Sequence, residues 1–288
     1  MAAITAGGLA IIAWAGPAAA CGGLVAPNGT VRLLRTSTLA AYHDGVEHYI
    51  TSFRFAGDGA AGEFGSIVPL PGVPTTVERG GSWTLQRLER ETSPPLPAAG
   101  LKFASAADAP AQVILQTRID ALDLTVLSGG GAAVGDWARA HGFLLTPDAP
   151  QILDFYAARS PVFLAARFDA AAAAARGQQA GDGTPIHLTI PTPNPWVPLR
   201  ILGLGRGALE PVQADVYLLT DRQPALLPAP DAGMHLAVSE AASSGLLNDL
   251  RSDKGMGWMP ATSWLSLLRI DSTAGQMTHD LAIDASGA

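Results

Sequence analysis

The chain has 288 residues, a net charge of −7 and a hydrophobic fraction of 48%, against 15% for charged residues. This composition excludes an intrinsically disordered protein, because the chain has enough apolar surface to bury, and the 32 glycines and 22 prolines exclude a coiled coil. The sequence also contains no basic patch of the kind that binds nucleic acid.

The N-terminal segment is uncharged as far as Arg32. Within it, the apolar run Leu9 to Ala15 is followed by Pro17 and by three alanines that end at Ala20. A short apolar run before small residues is typical of a secretory signal, whose cleavage requires small side chains. We therefore predict that residues 1–20 are a signal peptide and that the mature protein is extracytoplasmic: periplasmic, in the cell envelope or secreted. An uncleaved membrane anchor is the alternative.

Cys21 is the only cysteine, so it forms no intrachain disulfide. It directly follows the predicted cleavage site, at the position where a bacterial lipoprotein carries its lipid. Lipid attachment at Cys21 is therefore one hypothesis, and an unmodified cysteine near the mature N-terminus is the other. Apart from such a lipid or an uncleaved anchor, we expect no contact with a membrane.

The first predicted element is a β-hairpin over Thr36 to Phe55, because Asp44-Gly45 suits the positive φ angles of a type I′ turn. A two-residue turn sets a register in which His43, Tyr42 and Ala41 face Val46, Glu47 and His48. The next segment, Phe64 to Pro74, contains Pro69, Pro71 and Pro74. Since proline donates no ladder hydrogen bond, we predict an edge strand here that continues as an extended segment.

The middle of the chain alternates strand and helix patterns. We predict a helix over Trp83 to Arg90 with Ser82 as its cap, and a loop or linker over residues 92–110. The following predicted elements are strands over Val113–Ile119 and Leu122–Val126, helices over Ala133–Ala140 and Ala149–Ala158, a strand at Val162–Leu164 and an exposed helix over Ala170–Gln178.

The last third returns to strands. The candidates are Ile186–Ile190, Leu199–Leu204, Val212–Leu219, His235–Val238, Trp264–Ile270 and Met277–Ile283. This order predicts an α+β fold, mainly antiparallel β with a central helical segment. We predict a β-rich lobe over 21–110, a mixed strand and helix segment over 111–180, and a second β-rich lobe over 181–288, packed as one compact unit or two close lobes.

Several segments together resemble the bacterial family called domain of unknown function 2330. They are Cys21-Gly22-Gly23, Tyr42 to Tyr49, Phe64 to Pro74, Asp136-Trp137, Gly142-Phe143, Arg159 to Phe163 and Val197 to Ile201. The most specific of them are the Pro-Leu-Pro-Gly-x-Pro pattern within Phe64 to Pro74 and Cys21-Gly22-Gly23 at the predicted mature N-terminus. The resemblance covers most of the mature chain and implies an exported envelope protein, but it implies no activity.

Local catalytic signatures are missing from the sequence: there is no Gly-x-Ser-x-Gly nucleophile elbow and no phosphate-binding loop. In the predicted hairpin, His43 and His48 share one face as diagonal neighbours, close enough for two imidazoles to share a metal. Two ligands are too few for zinc. Histidines near a surface turn are the simpler interpretation.

Soft metal ligands concentrate near the C-terminus. Apart from Met1, the methionines lie within the last 55 residues, and thioether and imidazole ligands suit copper(I). A copper site would use Met256, Met259, Met277 and His279, with Met277 and His279 on one face of a predicted strand. The alternative is that these methionines fill gaps in the core.

These observations favour an exported, non-enzymatic envelope protein with a binding or structural role, no cofactor, and an unidentified envelope partner or ligand. One alternative is an extracytoplasmic copper-binding protein. A second is an exported hydrolase whose catalytic residues are dispersed in the sequence.

Overall fold

A computed structural model of the protein describes residues 18–19, 23–25, 35–54, 64–92, 112–177, 183–231 and 233–287. The described strands are β1 (Ala18–Ala19), β2 (Gly23–Val25), β3 (Arg35–His43), β4 (Val46–Arg54), β5 (Phe64–Pro69), β6 (Thr76–Arg79), β7 (Gln112–Ile119), β8 (Leu122–Ser128), β9 (Val162–Phe168), β10 (Gly183–Pro191), β11 (Trp196–Val197), β12 (Pro211–Thr220), β13 (Ala225–Leu227), β14 (Met234–Ala241), β15 (Trp264–Thr273) and β16 (Leu281–Asp284). The described helices are α1 (Thr84–Thr92), α2 (Gly131–Ala140), α3 (Ala149–Ala157), α4 (Ala170–Ala175) and α5 (Ser244–Ser252), with 3-10 turns at Arg200–Gly203 and Ala274–Gln276.

Two large sheets form the centre of the molecule. Sheet A has the strand order β14-β15-β12-β3-β4-β10-β6, with β1 paired to β3, and sheet B has the order β2-β5-β9-β8-β7. A small sheet has the order β11-β16-β13. The described strand pairs are antiparallel, except that β1 and β12 each run parallel to β3. The predicted α+β fold with mainly antiparallel strands is confirmed.

The sheets lie face to face, with helices on both outer surfaces. Apolar side chains on the inner faces, such as Leu188 of sheet A and Leu164 of sheet B, form one buried core. The outer face of sheet B packs against α2 and α3, and the outer face of sheet A packs against α1 and α5. Alternate side chains of a strand point to opposite faces, so both faces of each sheet can be buried.

The central helices follow local signals in the sequence. Gly142 has a φ of 82° just after α2, where a left-handed residue ends the helix. In α3, which covers most of the predicted helix Ala149–Ala158, Ile152, Leu153 and Tyr156 are buried. The predicted central helical segment is therefore confirmed.

The predicted hairpin is also confirmed. Asp44 and Gly45 have φ values of 50° and 76°, as a type I′ turn requires. The observed partners are those that the turn length predicts: His43 with Val46, Tyr42 with Glu47, and Ala41 with His48.

Three sequence predictions are wrong. The segment Phe64–Pro69 is not an edge strand, because β5 pairs with β2 on one side and β9 on the other. The predicted strand at Leu199–Leu204 is a 3-10 turn. The predicted strand at Met277–Ile283 begins only at Leu281.

Sheet A combines strands from residues 18–79 with strands from residues 183–273. The predicted lobe boundaries stay a prediction. In the part of the chain that the structure describes, none of the helices has the length and apolar character needed to cross a membrane.

Candidate functional site

A surface pocket lies beside the β3–β4 turn; we refer to it as the turn pocket. Its volume is about 540 Å³, and it also borders β13, β16 and the segment after β10. The polar side chains that line it are Tyr42, Asp44, Asn194, Asp221, Asp284 and Ser286. Three of these are carboxylates, and no lysine or arginine is among the described lining residues, so the pocket is acidic.

His43 links two of these carboxylates at the edge of the turn pocket. Its Nδ1 lies 2.5 Å from Asp221 Oδ1, and its Nε2 lies 3.3 Å from Asp44 Oδ2. The side chains of Asp44 and Asp221 are 87% and 47% exposed, so both carboxylates also face solvent.

Tyr42, Asp284 and Ser286, which also line the turn pocket, have intramolecular partners. The Tyr42 hydroxyl donates to the Thr192 carbonyl oxygen at 3.0 Å. The Ser286 hydroxyl and backbone N–H donate to Asp284 Oδ1. These bonds fix the shape of the pocket before any ligand enters.

Glu47 is buried next to the turn pocket. It faces Tyr42 across the hairpin, and its Oε2 accepts a 3.3 Å hydrogen bond from the backbone N–H of Trp196, which follows the pocket residue Pro195. Its Oε1 has no hydrogen-bond partner within the described ranges. Burial raises the pKa of Glu47 to about 8, so this side chain is neutral at pH 7.

A second cluster lies on the outer face of sheet A. His48 Nδ1 on β4 is 2.9 Å from His187 Nε2 on β10; we refer to these two residues as the histidine pair. The ring of Trp258 stacks on His48, with 3.7 Å between ring centroids and 4° between ring planes. His187 is only 2% exposed. Burial lowers the pKa of each histidine to about 4, so both are neutral at pH 7.

The structure does not bring the predicted copper ligands together. Met256 and Met259 are buried between the outer face of sheet A and its helices. Met277 is buried in the core between the two sheets, on the other side of sheet A. His279 is half-buried, 3.4 Å from the Thr278 hydroxyl. The prediction that Met277 and His279 share a strand face is wrong, because β16 begins after them.

Two other sequence predictions concern Cys21 and the pair His43 and His48. Cys21 lies outside the described residues. His43 and His48 share one face of the hairpin, as predicted, but their short contacts go to Asp221 and to His187. No local motif in the sequence pointed to His187, or to a position of Trp258 beside an imidazole. The signal for His187 was its place between Ile186 and Leu188, which puts its side chain on the face opposite to theirs.

The described residues contain no group of three or more His, Cys, Asp or Glu side chains placed to hold a metal ion. The described side-chain hydrogen bonds of histidine go to Asp221, His187, Thr278 and the Trp137 carbonyl oxygen, and none goes to a serine. The arrangement therefore offers polar recognition at the turn pocket and two converging imidazoles at the histidine pair.

Comparison with solved structures finds similar chains at low sequence identity. The crystal structure of baculovirus P35 has a TM-score of 0.46 and 8% identity, and the match covers 90% of this chain and 98% of that one. A chain in the crystal structure of the caspase-8/P35 complex has a TM-score of 0.42 and 7% identity, with 91% and 98% covered.

No curated protein matches the sequence. The model of a family described as an uncharacterized protein conserved in bacteria, DUF2330, matches residues 15–244. The chain therefore belongs to the bacterial family DUF2330.

Proposed function

We propose that the protein is an exported, non-enzymatic binding protein of the bacterial cell envelope, and that its ligand binds in the turn pocket. The observation that carries the binding role is the pocket itself, with three carboxylates and a volume suited to a small molecule. Export is supported by the apolar, uncharged sequence of residues 1–20.

The charge of the turn pocket indicates the class of ligand. Asp44 and Asp221 are partly solvated carboxylates on opposite sides of His43. A ligand with an amine or guanidinium group gains charge-assisted hydrogen bonds from such acceptors, whereas the three carboxylates repel an anion. The nearby Arg222 guanidinium already donates to the Ser286 carbonyl oxygen. The expected ligand is a small organic cation.

Binding of organic cations tests this proposal. Spermidine, putrescine and choline would be titrated calorimetrically into the protein, with hexanediol as an uncharged comparison. We expect saturable binding of at least one cation and none of the diol. The double variant Asp44→Asn, Asp221→Asn should lose this binding but keep its fold, because asparagine tolerates the positive φ of residue 44.

The matched control is Asp136→Asn, which removes a carboxylate that is 78% exposed on α2, away from the turn pocket. It should bind the cation as the wild type does. Failure of all three cations to bind, or equal binding by the double variant, would refute the proposed site.

Export is tested separately, by expressing the full chain in a Gram-negative host and determining the mass of the protein in each cell fraction. A periplasmic or membrane fraction whose N-terminus is Cys21, with or without lipid, supports the proposal. Retention of residues 1–20 on cytosolic protein would contradict it.

A further inference from the structure

The histidine pair is built on a regular ladder of sheet A, which has no register shift. In the β4–β10 ladder, His48 pairs with Thr189 and His187 pairs with Ile50, so the two histidines are diagonal neighbours on one face. Two adjacent backbone ladders hold these strands, since β4 also pairs with β3 and β10 with β6. Strand register therefore fixes the backbone positions of the two histidines, and their imidazoles approach to 2.9 Å.

We infer that His48 Nδ1 and His187 Nε2 form a two-coordinate binding site for copper(I). The inference does not depend on the turn pocket, which lies at the end of the hairpin and has other lining residues. It also differs from the site predicted at Met256, Met259, Met277 and His279, which sheet A divides.

The number of ligands selects the metal. Zinc requires three or four protein ligands, and the described chain offers no such group of His, Cys, Asp or Glu. Copper(I), a soft d¹⁰ ion, is satisfied by two ligands in a line, and imidazole nitrogen is one of its usual ligands. Metal–imidazole bonds of about 2 Å place the two nitrogens about 4 Å apart. The two rings must then separate by about 1 Å, which side-chain rotation can supply.

Binding of copper(I) changes the position of one imidazole proton but not the number of protons. Without metal, one of the two facing nitrogens carries the proton of the hydrogen bond that joins the rings. When copper(I) binds, that proton moves to the distal nitrogen of the same ring, so both histidines stay neutral and no electron is transferred. His187 Nδ1, which is buried with no hydrogen-bond partner in the described chain, carries the proton in the metal-bound form.

The surroundings suit a reduced, soft ion. Trp258 covers His48 and lies 5.3 Å from His187, ring centroid to ring centroid. The Arg251 side chain holds this covering segment through the carbonyl oxygens of Met259 and Pro260. The indole ring therefore covers one face of the pair and limits the access of water from that side.

The test is a competition for copper(I) under anaerobic conditions, with bicinchoninate as the chromogenic competitor. All measurements use the full chain with Cys21→Ser, so that the thiol contributes no binding. We expect one copper(I) per chain in this background. His48→Gln and His187→Gln should each weaken copper(I) binding at least tenfold. Even the mutation of an outer-shell partner of a metal ligand lowers metal affinity about 10- to 100-fold.

His235→Gln is the matched control, because it removes an exposed imidazole from β14; it should leave copper binding unchanged. His187 is buried, so His48→Gln, which changes a half-buried residue, is the decisive variant. Circular dichroism checks that each variant folds. X-ray absorption of the copper-loaded protein supplies the second measurement. Two imidazole nitrogens at about 2 Å support the site, and the fluorescence of Trp258 should fall on loading.

Equal copper affinity in His48→Gln and its parent would overturn the inference. Sulfur ligands in the coordination shell of the copper would also overturn it, because they would assign the binding to methionines.

Discussion

At the scale of single residues, Glu47 departs most from ordinary behaviour. It is a fully buried carboxyl whose one described partner is the backbone N–H of Trp196. Its ordinary pKa of 4.5 is raised to about 8 by burial. The folded chain therefore keeps a proton that the unfolded chain releases between these values, and Glu47 lowers stability as the pH rises from 4.5 to 8.

Glu47→Gln removes this ionisation while keeping the acceptor for Trp196. From pH 5 to pH 9, we expect the unfolding free energy of the variant relative to wild type to rise by about 2–4 kcal/mol. The reason is that only wild type must either ionise a buried carboxyl or hold its proton at high pH. Urea unfolding at both pH values measures this difference. Glu240→Gln, an exposed glutamate on β14, serves as control. A Glu47→Gln effect that is the same at both pH values would show that Glu47 does not titrate in this range.

At the candidate site, the sequence predicts which residues are neighbours within the hairpin but not their distant partners. The two-residue turn fixes the hairpin register, and register fixes that His43 and His48 share a face. The partners of these histidines, Asp221 and His187, lie 178 and 139 residues further along the chain. They depend on the order of strands in sheet A, which no local pattern contains.

At the scale of elements, local alternation predicts strands well where backbone groups pair with another strand. It fails at Arg200–Gly203, because three backbone donors there bind side chains from distant elements. The N–H groups of Leu199 and Arg200 donate to Asp280, and that of Ile201 donates to the Tyr156 hydroxyl. The apolar residues of this turn are buried as in a strand, so the sequence alone cannot separate the two structures.

The start of α1 depends on a residue from the far end of the chain. Ser82 is the predicted cap, but Asp253, just after α5, accepts hydrogen bonds from the backbone N–H groups of Ser82, Trp83 and Thr84. A carboxylate at this position satisfies free backbone donors and opposes the positive end of the helix dipole. One buried side chain thus joins α1 to α5.

Asp253→Ala should therefore destabilise the protein by about 2–4 kcal/mol, because it leaves several backbone donors without an acceptor. Ser243→Ala is the comparison, since Ser243 caps α5 through one bond to the Leu246 N–H and donates one 3.3 Å bond to Glu91, at the end of α1 away from Asp253. Its loss should cost only about 1 kcal/mol. Urea denaturation gives both values, and hydrogen exchange should show faster exchange in α1 for Asp253→Ala alone. Equal costs for the two variants would show that the distant cap adds nothing beyond an ordinary local one.

At the scale of the whole molecule, one glycine permits a close contact between two segments that are distant in the sequence. Gly65 is the second residue of the segment Phe64 to Pro74, and a Cβ atom at this position would overlap the ring of Phe143 from the Gly142-Phe143 segment. Two of the segments that carry the resemblance are thus in direct contact across sheet B and the end of α2. Sequence identifies both segments but not their contact, because it depends on how α2 packs on the sheet.

Asp280 has the widest reach of the buried polar groups described, since it joins the helical layer, the 3-10 turn and the small sheet. Its carboxylate accepts from the Tyr156 hydroxyl at 2.7 Å, from Arg159 Nη1 at 2.7 Å, and from two backbone N–H groups of the turn. Its side chain is fully buried, whereas that of Arg159 is 46% exposed. The exposed guanidinium can regain water, so the loss of the ion pair costs less than in a fully buried pair.

Asp280→Asn keeps an acceptor for the turn and for Tyr156 but places an NH₂ group against Arg159. We expect it to lower the unfolding free energy by about 1–3 kcal/mol. Asp280→Ala should lower it further, because the backbone N–H groups of Leu199 and Arg200 also lose their acceptor. Urea unfolding measures both, with the exposed Asp271→Asn as control. If Asp280 joins the three parts into one cooperative unit, limited proteolysis of Asp280→Ala should cut first near residues 198–206. Cleavage there at the wild-type rate would mean that apolar packing alone holds the turn in place.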